Sequence, residues 1–169
     1  MFYNIIVKVK KIKEIHKKYA ENKEILDIVW QHSLDVCKLA LKIVDNLKKK
    51  GVKTDRNLVK EGALLHDIGV YLVKKDKNYW KHGEEGCRIC KKEKIDNSIA
   101  RICKTHVGVG IGDNIPISLE EEIVSYADEF YSKFPLRKEN LKKIRKEISE
   151  YGKNNLVIFD RWHKKFNID

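Results

Sequence analysis

The sequence predicts an all-α domain, a helical bundle, and three observations carry that reading. Apolar residues recur three and four positions apart in nearly every segment, period-2 alternation is almost absent, and only 2 of the 169 residues are proline. A chain of this length buries about two thirds of the surface it exposes when unfolded, so no staple is required for it to fold. Positions 1–169 read as one domain, with a core over about 22–134, a basic helix before it and a helical extension after it.

The first element is a basic, weakly amphipathic helix over "KVKKIKEIHKKYA", with Ile12 and Ile15 as its apolar side and His16 facing solvent. From about Asn22 to Lys49, Ile25, Ile28, Val29, His32, Val36, Leu39, Ala40, Ile43 and Leu47 form one stripe, and His32 lies on it. Gly51 ends that helix. Thr54 or Asp55 caps the next, which runs through Leu58, Val59, Ala63 and Leu64 into "ALLHDIG". Gly69 is placed there as a left-handed closing residue, with Asp67 in the last turn. The loop "VYLVKKDKNYWK" leads to a helix opening at "HGEEGCRICKK", with His82 at its entrance. A further helix from about Ser98 to Thr105 delivers His106 before "HVGVGIGDNIP", whose glycines lack the spacing and the Lys-Ser/Thr of a P-loop. "SLEEEIVSYADEFYSKF" reads as a helix opened by a Ser118/Glu121 capping box, with Asp128 on the face of Val124, Ala127 and Tyr131. A charged helix from about Lys138 to Tyr151 follows. The final segment packs through Phe159, Trp162 and Phe166, with His163 toward water.

Composition narrows the function classes. "MFYNIIV" is broken at once by "KVKKIK", too short for a signal sequence or a membrane span, so a cytoplasmic protein with no membrane partner is expected. The net charge of +11 invites a nucleic-acid partner, but lysine is spread along the chain and aromatics are not interleaved with it as a stacking platform requires. A small anionic substrate uses the same field equally well. Lys/Glu enrichment with a single glutamine, Gln31, resembles a hyperthermophile composition. Cys87, Cys90, Cys103 and His106 have the spacing of a Cys3His zinc site. Because "GCRICKKEKIDNSIARICKTH" reads as helix, turn, helix rather than as zinc-knuckle loops, these cysteines, with Cys37, are read as core residues.

"ALLHDIG" poses an electrostatic problem. A carboxylate in the last turn of an apolar helix meets the unfavourable end of the macrodipole, and burial disfavours its charge further. An ionised Asp67 therefore needs a cation beside it, from Lys, Arg or a metal held with His66. Collected in order, His32, His66, Asp67, His82, His106 and Asp128 are polar residues set at apolar or loop-mouth positions on separate helices. Together they make the ligand inventory of a metal site in a helical bundle.

The order H…HD…H…H…D, with "HDIG" at its centre, resembles the HD superfamily of metal-dependent phosphohydrolases, in its HDIG subgroup. The likeness covers about Trp30 to Phe134 through "WQHSLDVCKLALKI", "GALLHDIG", "HGEEGCRI", "THVGVGI" and "PISLEEEIVSYADEF". Within that family it most resembles small archaeal members, among them phosphodiesterases that open dihydroneopterin 2',3'-cyclic phosphate in methanopterin biosynthesis. It departs from the HD-GYP branch, having neither paired histidines nor a GYP sequence after His106. The resemblance implies His32, His66, Asp67 and Asp128 as core ligands, with His82 and His106 as the extra histidines of two-metal members. It implies hydrolysis of a phosphate ester by hydroxide formed from metal-bound water, whose pKa falls to about 7, with Asp67 and His66 at the catalytic centre. Two divalent ions are expected per chain. Fe(II) or Mn(II) is favoured, and Zn(II), Ni(II) or Co(II) is compatible. Val70 stands where the subgroup often has a basic residue, so the substrate phosphate falls to Lys74, Lys75, Arg88 or Lys104. The alternatives are a one-metal nucleotide phosphomonoesterase and a nucleic-acid-binding helical domain with a structural Cys3His zinc.

Overall fold

The structure is a computed structural model that describes residues 2–73, 78–109 and 114–166. Among the described residues eight α-helices are formed, over Phe2–Tyr19 (α1), Lys23–Lys49 (α2), Arg56–Leu65 (α3), His82–Lys92 (α4), Asn97–Thr105 (α5), Leu119–Asp128 (α6), Leu141–Glu150 (α7) and Lys153–Phe166 (α8). The all-α expectation stands, with one small antiparallel hairpin, Tyr131–Lys133 (β1) and Leu136–Lys138 (β2), among them. Short polar side chains start the helices as capping requires. Asn22 Oδ1 accepts from the Ile25 amide, Asp55 Oδ1 from those of Asn57 and Leu58, and Asp96 from that of Ser98. Ser118 Oγ likewise accepts from the Glu121 amide. The Glu121 carboxylate accepts instead from Arg101, Thr105 and the Ile117 amide, so only half of the expected capping box closes.

The long α2 is the spine. Its stripe of Val29, Val36, Ala40 and Ile43 is fully buried, and α3, α6 and β1 pack along it. The helix α8 covers α6 through Phe159, Trp162 and Phe166, all buried, as expected.

Four expectations need correction. Gly69 is not a left-handed cap: α3 ends at Leu65, His66 and Asp67 form a turn, and Gly69 lies in a 3-10 helix over Ile68–Leu72. It is glycine for space, because a Cβ there would lie 2.0 Å from the His82 carbonyl oxygen and 2.3 Å from the Gly86 nitrogen. His16 does not face solvent; it is fully buried, bonded to the Leu64 carbonyl (2.8 Å) and the Tyr71 hydroxyl (2.8 Å), and fastens α1 over the turn before His66. His163 is half-buried against the Tyr126 hydroxyl at 2.7 Å. The helix expected to continue through Phe134 stops at Asp128, and the chain turns back as the hairpin.

Candidate metal centre

Helix ends build the site. His66 caps the C-terminus of α3, His106 caps that of α5, and Asp128 is the last residue of α6. Three C-termini therefore bring partial negative charge to one place, an arrangement that favours a cation. His82 opens α4, His32 comes from the middle of α2, and Asp67 lies in the turn after α3. Gly69 and Gly83 let α4 approach closely enough to place His82, since a Cβ on Gly83 would be 2.9 Å from the Lys104 carbonyl oxygen.

The six expected ligand residues come together as two groups joined at Asp67. His32, His66, Asp67 and Asp128 form one, and Asp67, His82 and His106 the other, with the donor atoms of each group within 4.8 Å of one another. Asp67 divides its oxygens between them. Its Oδ2 lies 3.1 Å from His32 Nε2 and 3.4 Å from His66 Nε2, while Oδ1 lies 3.4 Å from His82 Nε2 and 3.3 Å from His106 Nε2. Asp128 Oδ1 completes the first group, 2.8 Å from His32 Nε2 and 3.2 Å from His66 Nε2.

The imidazoles are oriented from behind. His66 Nδ1 donates to the Ala63 carbonyl (2.7 Å), His82 Nδ1 to that of Tyr79 (2.6 Å) and His106 Nδ1 to that of Cys103 (2.8 Å). A carbonyl only accepts, so each Nδ1 carries the proton and each Nε2 is aimed inward, the second-layer pattern of metal-ligating histidines. Burial lowers the His82 pKa to about 4, so this ring is neutral and has no proton to offer Asp67 or His106, whose Nε2 is 3.0 Å away. Asp67 Oδ1 meets no hydrogen-bond donor although it is fully buried. Two imidazole Nε2 atoms and a carboxylate oxygen thus converge on one point, and these residues fit a divalent ion.

The first group has a cation of its own, one the sequence reading missed. Lys133 Nζ from β1 lies 2.7 Å from Asp67 Oδ2, 3.5 Å from His32 Nε2 and 4.0 Å from Asp128 Oδ1. Burial alone raises the carboxyl pKa values of Asp67 and Asp128, but Lys133 and His66 outweigh it and hold both well below the ordinary range. Burial disfavours the charged His66 ring too, yet Asp67 and Asp128 raise its pKa to about 10. The signal available for Lys133 is Pro135, which disfavours helical backbone in its predecessor and so argues against a helix through Phe134.

The residues expected at the substrate phosphate are placed differently. Lys74 and Lys75 lie outside the described residues. Arg88 is exposed on α4 and pairs with Glu85, and Lys104 is half-buried in the last turn of α5. The Cys3His alternative fails on geometry, because His106 Nδ1 is committed to the Cys103 carbonyl and its Nε2 faces Asp67 and His82. Cys90 and Cys103 are instead buried, their sulfurs 3.5 Å apart, with Cys103 donating to the Leu65 carbonyl.

A helical domain whose buried His/Asp centre suits divalent ions defines the class of metal-binding helical bundles. The HD domain family model matches residues 29–132, and the chain belongs to the HD-domain family. It is 33% identical over 144 residues to uncharacterized protein MJ0778 of Methanocaldococcus jannaschii, covering 77% of this chain and 81% of that one. It is also 36% identical over 118 residues to a tRNA (cytidine(56)-2'-O)-methyltransferase of Picrophilus torridus, covering 63% of this chain and 32% of the enzyme. The match thus spans about a third of that methyltransferase. In fold, it resembles the HD domain of the Listeria monocytogenes phosphodiesterase PgpH, with a TM-score of 0.56 at 15% identity over 92% of this chain and 97% of that one. The same domain solved with cyclic-di-AMP gives 0.57 at 15% identity, over 93% and 95%. No helix among the described residues is long and apolar enough to cross a membrane.

Proposed function

We propose that the protein is a two-metal phosphodiesterase that opens a small cyclic phosphate, with 7,8-dihydroneopterin 2',3'-cyclic phosphate as the candidate substrate. The observation that carries this reading is the division of Asp67, one carboxylate oxygen toward each donor group. His32, His66, Asp67 and Asp128 would hold one ion, and Asp67, His82 and His106 the other. Bound there, the ions supply Lewis acidity for activating water and for neutralising phosphoryl charge. The chain's own residues do the rest. Ala63, Tyr79 and Cys103 fix three imidazoles through their carbonyls, and burial of Asp67 keeps bulk water from competing for its oxygens. A cavity of 460 Å3 lined by Tyr79, Ser132, Lys133 and Phe134 adjoins the centre, and Phe134 also lines a second, 460 Å3 cavity walled by Glu21, Ile25, Val70, Tyr71, Leu72 and Val73. That pairing suits a small ester with a flat heteroaromatic headgroup. PgpH, a phosphodiesterase solved with a cyclic dinucleotide, supports the reaction type.

The test is metal analysis of protein purified without air and supplied with Fe(II) or Mn(II), together with hydrolysis of bis-p-nitrophenyl phosphate. Asp67→Ala should empty both positions and reduce hydrolysis to background, whereas His82→Ala should remove one ion only. Retained metal and activity in Asp67→Ala would overturn the proposal. A screen of cyclic and linear esters, including RNA ending in a cyclic phosphate, then separates the pterin from an RNA substrate. The basic charge and the tRNA methyltransferase relative favour that second possibility.

A further inference from the structure

Two polar groups at the cavity wall have no part in holding a metal. Tyr79 Oη is buried and has no hydrogen-bond partner among the described residues, although Tyr79 lines the cavity. A buried hydroxyl left in that state costs stability unless a ligand accepts its hydrogen bond. Beside it on the same wall is Lys133, whose ammonium rests on Asp67 Oδ2. That contact uses the oxygen a divalent ion would take in the first donor group. Two cations held against one carboxylate oxygen repel strongly in a buried site, so an ion there displaces the ammonium. The open space next to Lys133 is the cavity it shares with Tyr79, Ser132 and Phe134.

Resting on the hydrolase reading, we infer that Lys133 and Tyr79 form the phosphoryl-anion subsite of this centre, the ammonium and the phenol hydroxyl both donating to non-bridging phosphate oxygens. The ligand class is a tetrahedral phosphoryl anion whose charge the ammonium neutralises and whose orientation the hydroxyl fixes. The β1–β2 hairpin supplies the ammonium and the 3-10 turn before α4 supplies the hydroxyl, so the subsite spans two elements that meet at the mouth. Lys133 therefore has two positions. It sits on Asp67 when the first group lacks a metal and faces the phosphate when the group is filled.

Inorganic phosphate is the probe, titrated calorimetrically into metal-loaded wild type, Lys133→Met and Tyr79→Phe, with metal content measured on each sample. Both variants should keep the wild-type stoichiometry and bind phosphate roughly tenfold or more weakly, the loss expected for one bond to a charged group. Chelator competition gives a second readout independent of turnover. Lys133→Met should hold the metal of the first group more tightly, by roughly tenfold, because no ammonium competes for Asp67. Lys133→Arg, which keeps the charge, should recover part of the phosphate affinity. A metal-loaded wild type whose phosphate and metal affinities are unchanged by Lys133→Met and Tyr79→Phe overturns the subsite alone. A wild type that takes up no metal overturns the hydrolase reading and the subsite with it.

Discussion

At the scale of single residues, His16 shows how the site is held from outside. Its ring bridges α1 to the Leu64 carbonyl and the Tyr71 hydroxyl, on either side of the His66-Asp67 turn. Burial lowers its pKa from the ordinary 6.5 to about 4, so the folded protein holds it neutral while the unfolded chain protonates it first. The unfolded state then binds more protons between those two values. Stability from His16 is therefore fully present above about pH 6.5 and drains away as the pH falls toward 4, by up to about 3 kcal/mol. Urea unfolding of metal-free protein from pH 7.5 to 4.5 should show His16→Gln losing less stability on acidification than wild type; parallel curves would contradict this. The six metal-ligand candidates were legible in the sequence only as a set: each alone has an ordinary structural reading, but four imidazoles and two carboxylates at apolar or loop-mouth positions on separate helices make a ligand inventory. His16 was not. Which face of a basic helix becomes buried depends on α3 and Tyr71, more than forty residues away, and α1's own pattern cannot express that.

At the scale of elements, the closest packing lies where the 3-10 segment Ile68–Leu72 meets the start of α4. The Gly69 position admits no Cβ, since the atoms it would strike are backbone atoms of His82 and Gly86 that no rotamer change can move. Gly69→Ala must therefore push α4 away. Overpacking of this kind costs about 1–3 kcal/mol. The shift acts on His82, the first residue of α4, so the variant should bind fewer metal ions per chain in addition to its lowered unfolding midpoint. Unchanged metal content with only a lower midpoint would show that His82 tolerates the movement. The caps at Asp55 and Ser118 followed from short polar side chains that act locally, and the structure adds Asn22 and Asp96 as caps of the same kind. The hairpin escaped because strands of three residues are too short for alternation to register, and Lys133 is one of 36 basic residues. Lys133↔Leu136 is its closing pair, so the turn at Phe134-Pro135 fixes how far the ammonium reaches toward Asp67.

At the scale of the whole molecule, the surface and the centre contribute unequally. Ion pairs such as Lys8–Glu61, Lys18–Glu93 and Lys165–Glu122 tie distant elements together but are largely exposed on the lysine side, and such pairs are individually worth about 0–1 kcal/mol. The centre joins α2, α3, α4, α5 and α6 through six side chains, four imidazoles and the carboxylates of Asp67 and Asp128. Without metal, Lys133 and His66 neutralise the side that faces Asp128, while Asp67 Oδ1 keeps two imidazoles and no donor. Loss of an ion is therefore expected to weaken the α4–α5 side most. An ion that binds only the folded chain stabilises it by about 2.7 kcal/mol at a hundred times its dissociation constant. For a domain of this size that corresponds to roughly 5–10 °C in melting temperature. Chelation should lower the midpoint by that amount, and restored Mn(II) or Fe(II) should return it. Asp67→Asn, with no bridging charge to offer, should melt at its own midpoint with or without metal. A wild-type midpoint indifferent to chelator would mean that the five helices are not joined through an ion at Asp67.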